Sequence, residues 1–412
     1  MSRILDVYLQ ESPAGNLEQA DGGELVFTYD ADYLNAASHA ISLSLPLQAE
    51  PHEGPQVGAF FSGLLPEESV RERLAGYLGL SEKNSFALLE SVGGDCAGAL
   101  ALYPRGEKPA GVFDDVETLD DVRLKEILYL IKRRPMLAGD GGCRLSLAGA
   151  QDKLAVGFRN GHVLLIKGGA PTTHILKPVI WHVEDSVHNE LFCMKLARMV
   201  GIDAPHASLH FVDDAPYYLV ERYDRRIDQS GTVTRIHQED FCQALGVAPE
   251  IKYEREGGPS IAACRSVIAR HAARPAADGI KLLNIILFNY LIGNADAHGK
   301  NFSLLYQNNK PELAPAYDLL STAIYPGLSK EMAMKIGGEY KPDKVYARHF
   351  HGLAVDTKTA QSAVDRQIKT MRDKMRDAAS DLKASLAAEG LASGVFDEII
   401  AIIEERSKHL GG

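Results

Sequence analysis

Apolar residues follow short alternating runs near the N-terminus and longer helical patterns towards the C-terminus. Two apolar runs, at 3 to 9 and 24 to 29, predict strands, and a polar, glycine-containing loop is expected between them at 13 to 23. The segment 41 to 45 alternates with a period of two residues, which predicts a third strand ending at Pro46. The N-terminal region is therefore predicted to be a small β-rich unit.

Helices and one further strand are predicted up to residue 103. The helices lie at about 68 to 78 and 84 to 89, and the strand lies at 98 to 103. The proline- and glycine-containing segment that follows is typical of a linker or turn, so a domain boundary is predicted near 105 to 110.

The middle of the chain is rich in predicted strands. A helix at 119 to 133 and a glycine-rich segment at 139 to 142 precede them. The Asn160-Gly161 pair between two apolar runs is a strong hairpin signal. The predicted strands are 154 to 158, 162 to 167, 173 to 177, 206 to 212 and 217 to 223.

The rest of the chain is predicted to be mostly helical, with a short strand-like segment at 332 to 336 and no internal repeat. The predicted helical stretches start at 238 (to 245), 260 (to 273), 282 (to 292), 342 (to 354), 357 (to 388) and 394 (to 409).

A polar loop at 293 to 301 lies between two apolar segments. Within it, Asp296 and Asn301 have the spacing Asp-x-x-x-x-Asn, with which a protein-kinase catalytic loop pairs its catalytic base with a magnesium ligand. Asp318 follows later in the chain, where a carboxylate that serves as the second metal ligand would be expected. These three residues predict a phosphoryl-transfer site.

Composition narrows the class of protein. With 412 residues, of which 45% are hydrophobic and 24% charged, the chain is long enough for two or three domains of a soluble globular protein. The net charge of −11 argues against a broad direct grip on nucleic acid, because phosphate binding needs a basic face. Any role on DNA is therefore expected to run through a partner.

The cysteines and the N-terminus bear on the cell compartment. Five cysteines without Cys-x-x-Cys spacing argue against a disulfide framework or a zinc site, and we expect them to be reduced and mostly buried. Asp6 comes too early for a signal peptide, and no uninterrupted apolar run reaches membrane-spanning length. The sequence predicts a cytoplasmic protein that does not cross a membrane.

The middle segment has the element order of a kinase N-lobe followed by its hinge. A small-residue loop at 145 to 153 is followed by strands, and Lys177 ends an apolar strand. A helix predicted from about Asp185 to Val200, capped by Asp185 or Ser186 and ended by Gly201, carries Glu190. Lys177 could pair with nucleotide phosphates or be a solvated strand end, and Glu190 could be its partner or a surface residue.

These residues belong to a series of blocks between 60 and 318. The blocks are Phe60-Phe61-x-x-Leu64-Leu65-Pro66, 145 to 153, 173 to 177, 220 to 226, 238 to 240, Lys252-Tyr253-Glu254 with Gly257-Gly258-Pro259, and the catalytic loop through Asp318. In these blocks the chain resembles the HipA-type serine/threonine kinases. Such kinases are the toxin half of bacterial toxin–antitoxin pairs whose antitoxin, HipB, is a helix-turn-helix DNA-binding protein.

The resemblance implies an α+β fold with a bilobal core related to the protein kinases and phosphoinositide kinases. It also implies an N-terminal β-rich subdomain and a helical C-terminal lobe. The expected domains are 1 to 108, 109 to 228 with the phosphate loop and hinge, and 229 to 412 with the catalytic loop and metal site.

ATP and Mg²⁺ are the expected cofactors. Asp296 would accept or orient the proton of the substrate hydroxyl, with His298 beside it, and Asn301 and Asp318 would hold magnesium. Lys177 would pair with the α and β phosphates. The other expected nucleotide-binding residues are Leu147, Ala148, Gly149, Ala150, Gln151, Asp152 and Lys153 at the phosphates, and Glu221 and Tyr223 at the adenine. The loop lacks a full G-x-G-x-x-G and is a weak signal by itself.

The function implied by the resemblance is growth arrest by phosphorylation of a translation component, an aminoacyl-tRNA synthetase such as the glutamyl enzyme. The resemblance also implies an inactivating autophosphorylation on Ser146, because a phosphate there would bring about two negative charges into a phosphate site. One alternative is a co-repressor that acts with its antitoxin and has weak kinase activity. Another is a small-molecule kinase on a related fold.

Overall fold

The computed structural model describes residues 3–36, 39–108, 116–139, 144–167, 169–354 and 357–411. The strands of these described residues are β1 (Arg3–Leu9), β2 (Ser12–Gln19), β3 (Leu25–Tyr29), β4 (Leu100–Pro104), β5 (Val116–Thr118), β6 (Leu154–Arg159), β7 (His162–Ile166), β8 (His174–Pro178), β9 (Ala207–Val212), β10 (Ala215–Glu221), β11 (Arg225–Ile227), β12 (Val233–Arg235), β13 (Gln238–Asp240), β14 (Ser303–Gln307) and β15 (Lys310–Leu313). Their helices are α1 (Ala31–Ala36), α2 (Pro55–Ser62), α3 (Glu68–Leu78), α4 (Ser85–Val92), α5 (Asp121–Leu130), α6 (Ser186–Val200), α7 (Phe241–Leu245), α8 (Ile261–His271), α9 (Pro275–Ile292), α10 (Ala347–Phe350), α11 (Lys358–Ala388) and α12 (Val395–His409). Both element types are abundant, which confirms the predicted α+β class.

The chain divides into two compact units. The first unit comprises Met1–Pro178, Phe211–Glu250 and Leu304–Lys310, and the second comprises Val179–His210, Ile251–Ser303 and Pro311–Gly412. Most of the strands belong to the first unit and most of the long helices to the second. Strands β9 and β15 each continue from the chain segments of one unit into those of the other.

An antiparallel sheet of order β3-β2-β1-β4 forms the N-terminal part of the first unit. The loop predicted at 13 to 23 is wrong, because most of it is the central strand β2. Gly15 lowers the local strand propensity, yet a Cβ there would lie 2.2 Å from the carbonyl oxygen of Thr28. The glycine is needed for the close approach of β2 and β3, and pairing on both sides outweighs the local propensity.

The strand predicted at 41 to 45 is also wrong. This segment is a turn with a single isolated bridge between Ser42 and Leu45. Its polar groups bind a carboxylate instead of a neighbouring strand, since the Ser42 hydroxyl and the Leu43 N–H both donate to the buried Glu239, at 2.5 and 3.0 Å. Burial raises the pKa of Glu239 to about 7, although these donors oppose the shift.

The larger sheet has the order β5-β7-β6-β8-β10-β9. The predicted hairpin is confirmed, because β6 and β7 pair antiparallel around Asn160 and Gly161, whose φ values are 53° and 82°. The register of β8 and β10 places Lys177 opposite Tyr218. Behind the sheet lies an apolar core to which α5 contributes Leu124, Ile127 and Leu128.

Helices dominate the second unit. Gly201 and Gly293 adopt left-handed conformations just beyond α6 and α9, as the predicted helix ends require. Helix α9 is apolar and long enough to cross a membrane, with mean hydropathy 1.2, but 61% of it is buried within the protein, as in the core helix of a soluble protein. The predicted helices at 260 to 273, 357 to 388 and 394 to 409 are confirmed with small changes at their ends.

Three C-terminal predictions differ from the structure. Residues 238 to 240 form β13, and α7 begins only at Phe241, with Asp240 as its N-cap. Residues 332 to 336 form no strand apart from an isolated bridge between Ile336 and Glu339. The stretch 342 to 354 consists of short 3₁₀ turns and the four-residue helix α10.

Some predictions lie wholly or partly outside the described residues. They are the domain boundary near 105 to 110, most of the glycine-rich segment at 139 to 142, and Cys143. The four described cysteines, Cys96, Cys193, Cys242 and Cys264, are free and buried, as expected.

A buried ion-pair cluster is centred on Asp95 in the first unit. Its carboxylate accepts from Arg222 at 3.1 Å, from Arg225 at 2.8 Å and from Arg235 at 2.9 Å. Asp224 accepts from Arg222 at 2.9 Å and from the N–H of Gly98 at 2.7 Å. Asp95 and Asp224 bring two negative charges against three arginines, so removing either acid leaves buried positive charge unpaired.

Electrostatics within this cluster keep its groups ionised. Burial alone would raise the pKa of Asp95, but Arg225, Arg222 and Arg235 outweigh it and hold that pKa well below its usual range. Burial and the neighbouring Arg222 lower the pKa of Arg225 to about 10, which still leaves the guanidinium charged at neutral pH. Arg222 and Arg225 are thus buried and ion-paired, whereas Arg226 is exposed.

We predict that Asp95→Asn lowers the free energy of unfolding by about 3–5 kcal/mol, because it leaves the arginines without their shared counter-charge. Urea unfolding at neutral pH measures the loss. Since the folded pKa of Asp95 is depressed, its contribution is present above the ordinary pKa of 3.8 and is lost as the pH falls through the folded pKa. The difference in free energy of unfolding between the parent protein and Asp95→Asn should therefore become smaller at acid pH.

The matched control is Asp213→Asn. Asp213 pairs with Lys125 at 2.6 Å, but both side chains are more than 60% exposed, so solvent screening should leave a much smaller loss. Equal losses for the two variants would show that the Asp95 cluster contributes no more than a surface ion pair.

Candidate active site

The catalytic loop begins where α9 ends. Gly293, in the left-handed region at φ 78°, turns the chain out of the helix, and its N–H donates to the carbonyl oxygens of Asn289 and Tyr290. The guanidinium of Arg406, on α12, donates to the Tyr290 carbonyl and lies 5.1 Å from the Tyr290 ring centre. A buried cation thus caps the end of the helix that carries the loop.

Backbone hydrogen bonds fix the first half of the loop within the second unit. The N–H of Ala295 donates to the Thr322 hydroxyl at 2.8 Å, and the N–H of Ala323 donates to the Gly293 carbonyl at 2.9 Å. On the other side, the N–H of Ala333 donates to the Ala295 carbonyl at 2.8 Å. The segment at 332 to 336 therefore supports the predicted catalytic loop through Ala333.

The second half of the loop brings the predicted metal ligands together. The Asn301 side-chain amide donates to the Asp318 carboxylate at 3.0 Å, and the Asn301 side-chain oxygen accepts from the His298 N–H at 3.2 Å. Asp318 adopts the left-handed conformation with φ 56°, a strained geometry that is often found at functional sites. Asp296 is exposed on the same loop, whereas His298 is buried beside it.

The donor set of this half-buried pair suits magnesium. Asn301 and Asp318 can offer one amide and one carboxylate oxygen, which are hard ligands. No group of three or more His, Cys, Asp or Glu side chains that could hold a metal ion occurs among the described residues. A magnesium ion here would therefore need nucleotide phosphates and water to complete its coordination, as in kinase active sites.

The predicted phosphate loop lies in the first unit, against the segment from Leu64 to Glu67. Ser146 is fully buried, and its hydroxyl donates to the Leu64 carbonyl at 2.7 Å. The N–H of Glu67 donates to the Gly149 carbonyl at 3.1 Å. The Lys153 ammonium donates to the Ala148 carbonyl at 2.6 Å, so in this conformation the loop is folded on itself.

The remaining predicted site residues are distributed over both units. Lys177 is buried at the end of β8, with its ammonium 5.8 Å from the Tyr218 ring centre, so it is not a solvated strand end. Glu190 is buried on α6, which rules out a surface position. Glu221 ends β10 and is exposed, and the Tyr223 hydroxyl donates to the Gln238 side chain.

Sequence reasoning missed one contact of the catalytic loop. The Tyr253 hydroxyl donates to Asp296 at 2.8 Å, and the Tyr253 ring packs edge-on against His298. The only available signal was that Lys252-Tyr253-Glu254 and Gly257-Gly258-Pro259 stand among the blocks of the resemblance, which assigned them no role.

Two family models match the chain. The model of the HipA N-terminal domain matches residues 5–103, and the model of the HipA-like C-terminal domain matches residues 145–381. The protein Y4mE of Sinorhizobium fredii is 44% identical over 381 residues, which is 91% of each protein. The serine/threonine-protein kinase toxin HipA of Shewanella oneidensis is 32% identical over 362 residues, 83% of this chain and 81% of that protein.

A solved structure shows the same fold. The complex of Shewanella oneidensis HipA with HipB and operator DNA matches with a TM-score of 0.83 and 27% identity, covering 99% of this chain and 97% of that one. The predicted kinase-like fold is confirmed, and the chain is a serine/threonine protein kinase. It belongs to the HipA family of kinase toxins.

We predict that Gly299→Ala lowers the free energy of unfolding by about 1–3 kcal/mol. A Cβ at Gly299 would lie 2.6 Å from Cγ of Pro259, whose ring cannot rotate away. Gly327→Ala is the control, because a Cβ there meets nothing within 4 Å and stability should change by less than about 0.5 kcal/mol. Urea unfolding of both variants checks the prediction, and indistinguishable values would contradict the close packing of Pro259 on the loop.

Proposed function

We propose that this chain transfers the γ-phosphoryl group of ATP to a serine or threonine hydroxyl of a protein, as the toxin of a type II toxin–antitoxin system. The observation that carries the proposal is the contact of Asn301 with Asp318 at 3.0 Å, at the end of a loop that exposes Asp296. A carboxylate base and two hard-oxygen ligands are the groups that phosphoryl transfer requires.

Asp296 is the proposed base. The acceptor hydroxyl oxygen forms a bond to the γ phosphorus while the bond from that phosphorus to the bridging oxygen of ATP breaks. The bridging oxygen keeps the electron pair and leaves in ADP, and the hydroxyl proton moves to the Asp296 carboxylate. His298 lies beside the base and is proposed to contact the transferred phosphoryl group or the metal.

Asn301 and Asp318 are the proposed magnesium ligands. Magnesium, when bound, would neutralise charge on the phosphate oxygens. Lys177, buried on β8, is proposed to bind the α and β phosphates. The loop from Leu147 to Lys153 would take the other phosphate contacts, and Glu221 and Tyr223 the adenine.

Ser146 is the proposed site of autophosphorylation. Its hydroxyl is buried and donates to the Leu64 carbonyl, so the loop has to leave this position before the oxygen can accept a phosphoryl group. A phosphoserine has about two negative charges and could not return to a buried site that offers a carbonyl oxygen. The modification would therefore hold the loop outside.

Several finer parts of the proposal rest on the family. The protein target is proposed to be an aminoacyl-tRNA synthetase, such as the glutamyl enzyme, and the location is proposed to be the cytoplasm. The division into domains at 1 to 108, 109 to 228 and 229 to 412 also stands as a proposal.

We predict that the chain, incubated with Mg-ATP from a demonstrably unphosphorylated state, gains phosphate on Ser146, and that Asp296→Asn slows the gain at least about a hundredfold. Intact-mass and peptide analysis measure both. Asp377→Asn is the control, because Asp377 is a 76% exposed helix residue and should not affect the reaction. Phosphate on a metabolite, with none on protein, would favour the small-molecule kinase, and no ATP turnover would refute the kinase function.

The proposed partner is a HipB-like helix-turn-helix antitoxin. The Shewanella oneidensis relative was solved in complex with HipB and its operator DNA, and this chain covers 97% of that protein. The net charge of −11 supports contact with DNA mainly through the antitoxin.

We predict that this chain co-purifies with a helix-turn-helix protein encoded beside its gene. The upstream DNA should shift in a gel with that protein and shift further when the kinase is added. The kinase alone should give no shift at physiological salt, because its net charge opposes phosphate binding. A shift by the kinase alone, or no co-purification, would contradict the proposed partnership.

A further inference from the structure

The block Lys252-Tyr253-Glu254 forms a tight turn with the two glycines that follow it. Gly257 is left-handed at φ 101°, and the N–H of Gly258 donates to the Tyr253 carbonyl at 2.9 Å. A Cβ at Gly258 would lie 2.4 Å from the carbonyl oxygen of Ile251. Only glycine permits this close return of the backbone, which fixes the direction in which the Tyr253 side chain leaves the turn.

The same turn packs on the catalytic loop. Pro259, just after the glycines, lies so close to Gly299 that a Cβ at Gly299 would approach its ring to 2.6 Å. The N–H of Glu254 donates to the Ala333 carbonyl at 3.2 Å, and the Glu254 carboxylate accepts from the Lys335 N–H at 2.7 Å. Because Ala333 also binds the loop at Ala295, the turn and the loop share one supporting segment.

Tyr253 contacts the functional end of Asp296. Its hydroxyl donates to Oδ1 at 2.8 Å, and its ring centre lies 5.2 Å from that of His298 at an interplanar angle of 86°. The Lys252 ammonium lies 5.6 Å from the same ring centre. The phenol is therefore held on two sides while its hydroxyl meets the carboxylate.

An exposed aspartate needs such a contact if it is to act as a base. Asp296 lies at the surface, where its side chain could rotate among several rotamers. A hydrogen bond to Oδ1 favours one rotamer of this side chain and so fixes the direction of its carboxylate. Small errors in such geometry are costly in phosphoryl transfer, where positioning supplies most of the catalysis.

We propose that Tyr253 is a positioning residue for phosphoryl transfer, which orients the Asp296 carboxylate through its hydroxyl. The inference rests on the proposed role of Asp296 as the base. Tyr253 itself exchanges no proton with the substrate. Its contribution should therefore disappear when Asp296 can no longer act as a base.

The test is a double-mutant cycle in the full chain, with Tyr253→Phe, Asp296→Asn and the pair together. The rate is measured as ADP release from Mg-ATP and as phosphate incorporated into the chain. Tyr129→Phe is the control, because Tyr129 is a 57% exposed residue of the first unit to which no part in the reaction is assigned. Binding of Mg-ATP and the thermal unfolding midpoint are measured for every variant.

Tyr253→Phe is expected to lower kcat about tenfold, a moderate part of what misplaced catalytic groups cost. The Kd for Mg-ATP should stay within about twofold, because the hydroxyl contacts the base and not the nucleotide. In the Asp296→Asn background, the same substitution should cause no further loss. Tyr129→Phe should match the parent protein.

Each other outcome overturns the inference. An unchanged kcat for Tyr253→Phe, with Asp296→Asn slowed at least about a hundredfold, refutes the positioning role and leaves the proposed function intact. An equal further loss in the Asp296→Asn background, or a fall in unfolding midpoint together with weaker ATP binding, assigns Tyr253 a structural role only. A parent protein that does not turn over Mg-ATP refutes both proposals.

Discussion

The first unit depends on the pairing of Asp95 and Asp224 with three arginines, of which Arg222 and Arg225 are buried and Arg235 is partly buried. Moving a guanidinium out of water costs several kcal/mol, so the arginines can be buried only where carboxylates meet them with good geometry. Asp95 also acts through its backbone, since its N–H donates to the Arg144 carbonyl at 2.8 Å and its carbonyl accepts from the Ser146 N–H at 3.1 Å. Asp95 thus pairs with the arginines through its carboxylate and holds the start of the phosphate loop through its backbone.

This arrangement joins the two matched family regions. Asp95 belongs to the region that matches the HipA N-terminal domain, and its three arginine partners belong to the region that matches the C-terminal domain. Leu64 and Glu67, also from the N-terminal region, bind the phosphate loop at Ser146 and Gly149. The N-terminal region is therefore part of the support of the loop.

Features set by local sequence could be predicted. The Asn160-Gly161 hairpin, the left-handed ends at Gly201 and Gly293, and the pairing of Asn301 with Asp318 each follow from a few neighbouring residues or a fixed spacing. The element order and the blocks were enough to identify the kinase-like fold, as the comparison with Shewanella oneidensis HipA confirmed. The individual roles of the site residues stay predictions.

Features set by distant partners could not be predicted. Strand β2 exists because two neighbours pair with it, and the turn at 41 to 45 exists because Glu239, almost 200 residues away, takes its hydrogen bonds. The contact of Tyr253 with Asp296 spans 43 residues and left no periodic signal in the chain. In each case the deciding energy lies in tertiary contacts, which no local window contains.

The Arg406 cap also affects when the loop can fold during synthesis of the chain. Tyr290, whose carbonyl it binds, precedes Arg406 by 116 residues. At translation rates of about 5–20 residues per second, those residues take on the order of ten seconds to synthesise. During that interval a nascent chain already contains the catalytic loop sequence but lacks the cation that caps the helix before it. The loop can therefore reach its supported geometry only late in synthesis, well after its own residues have been joined.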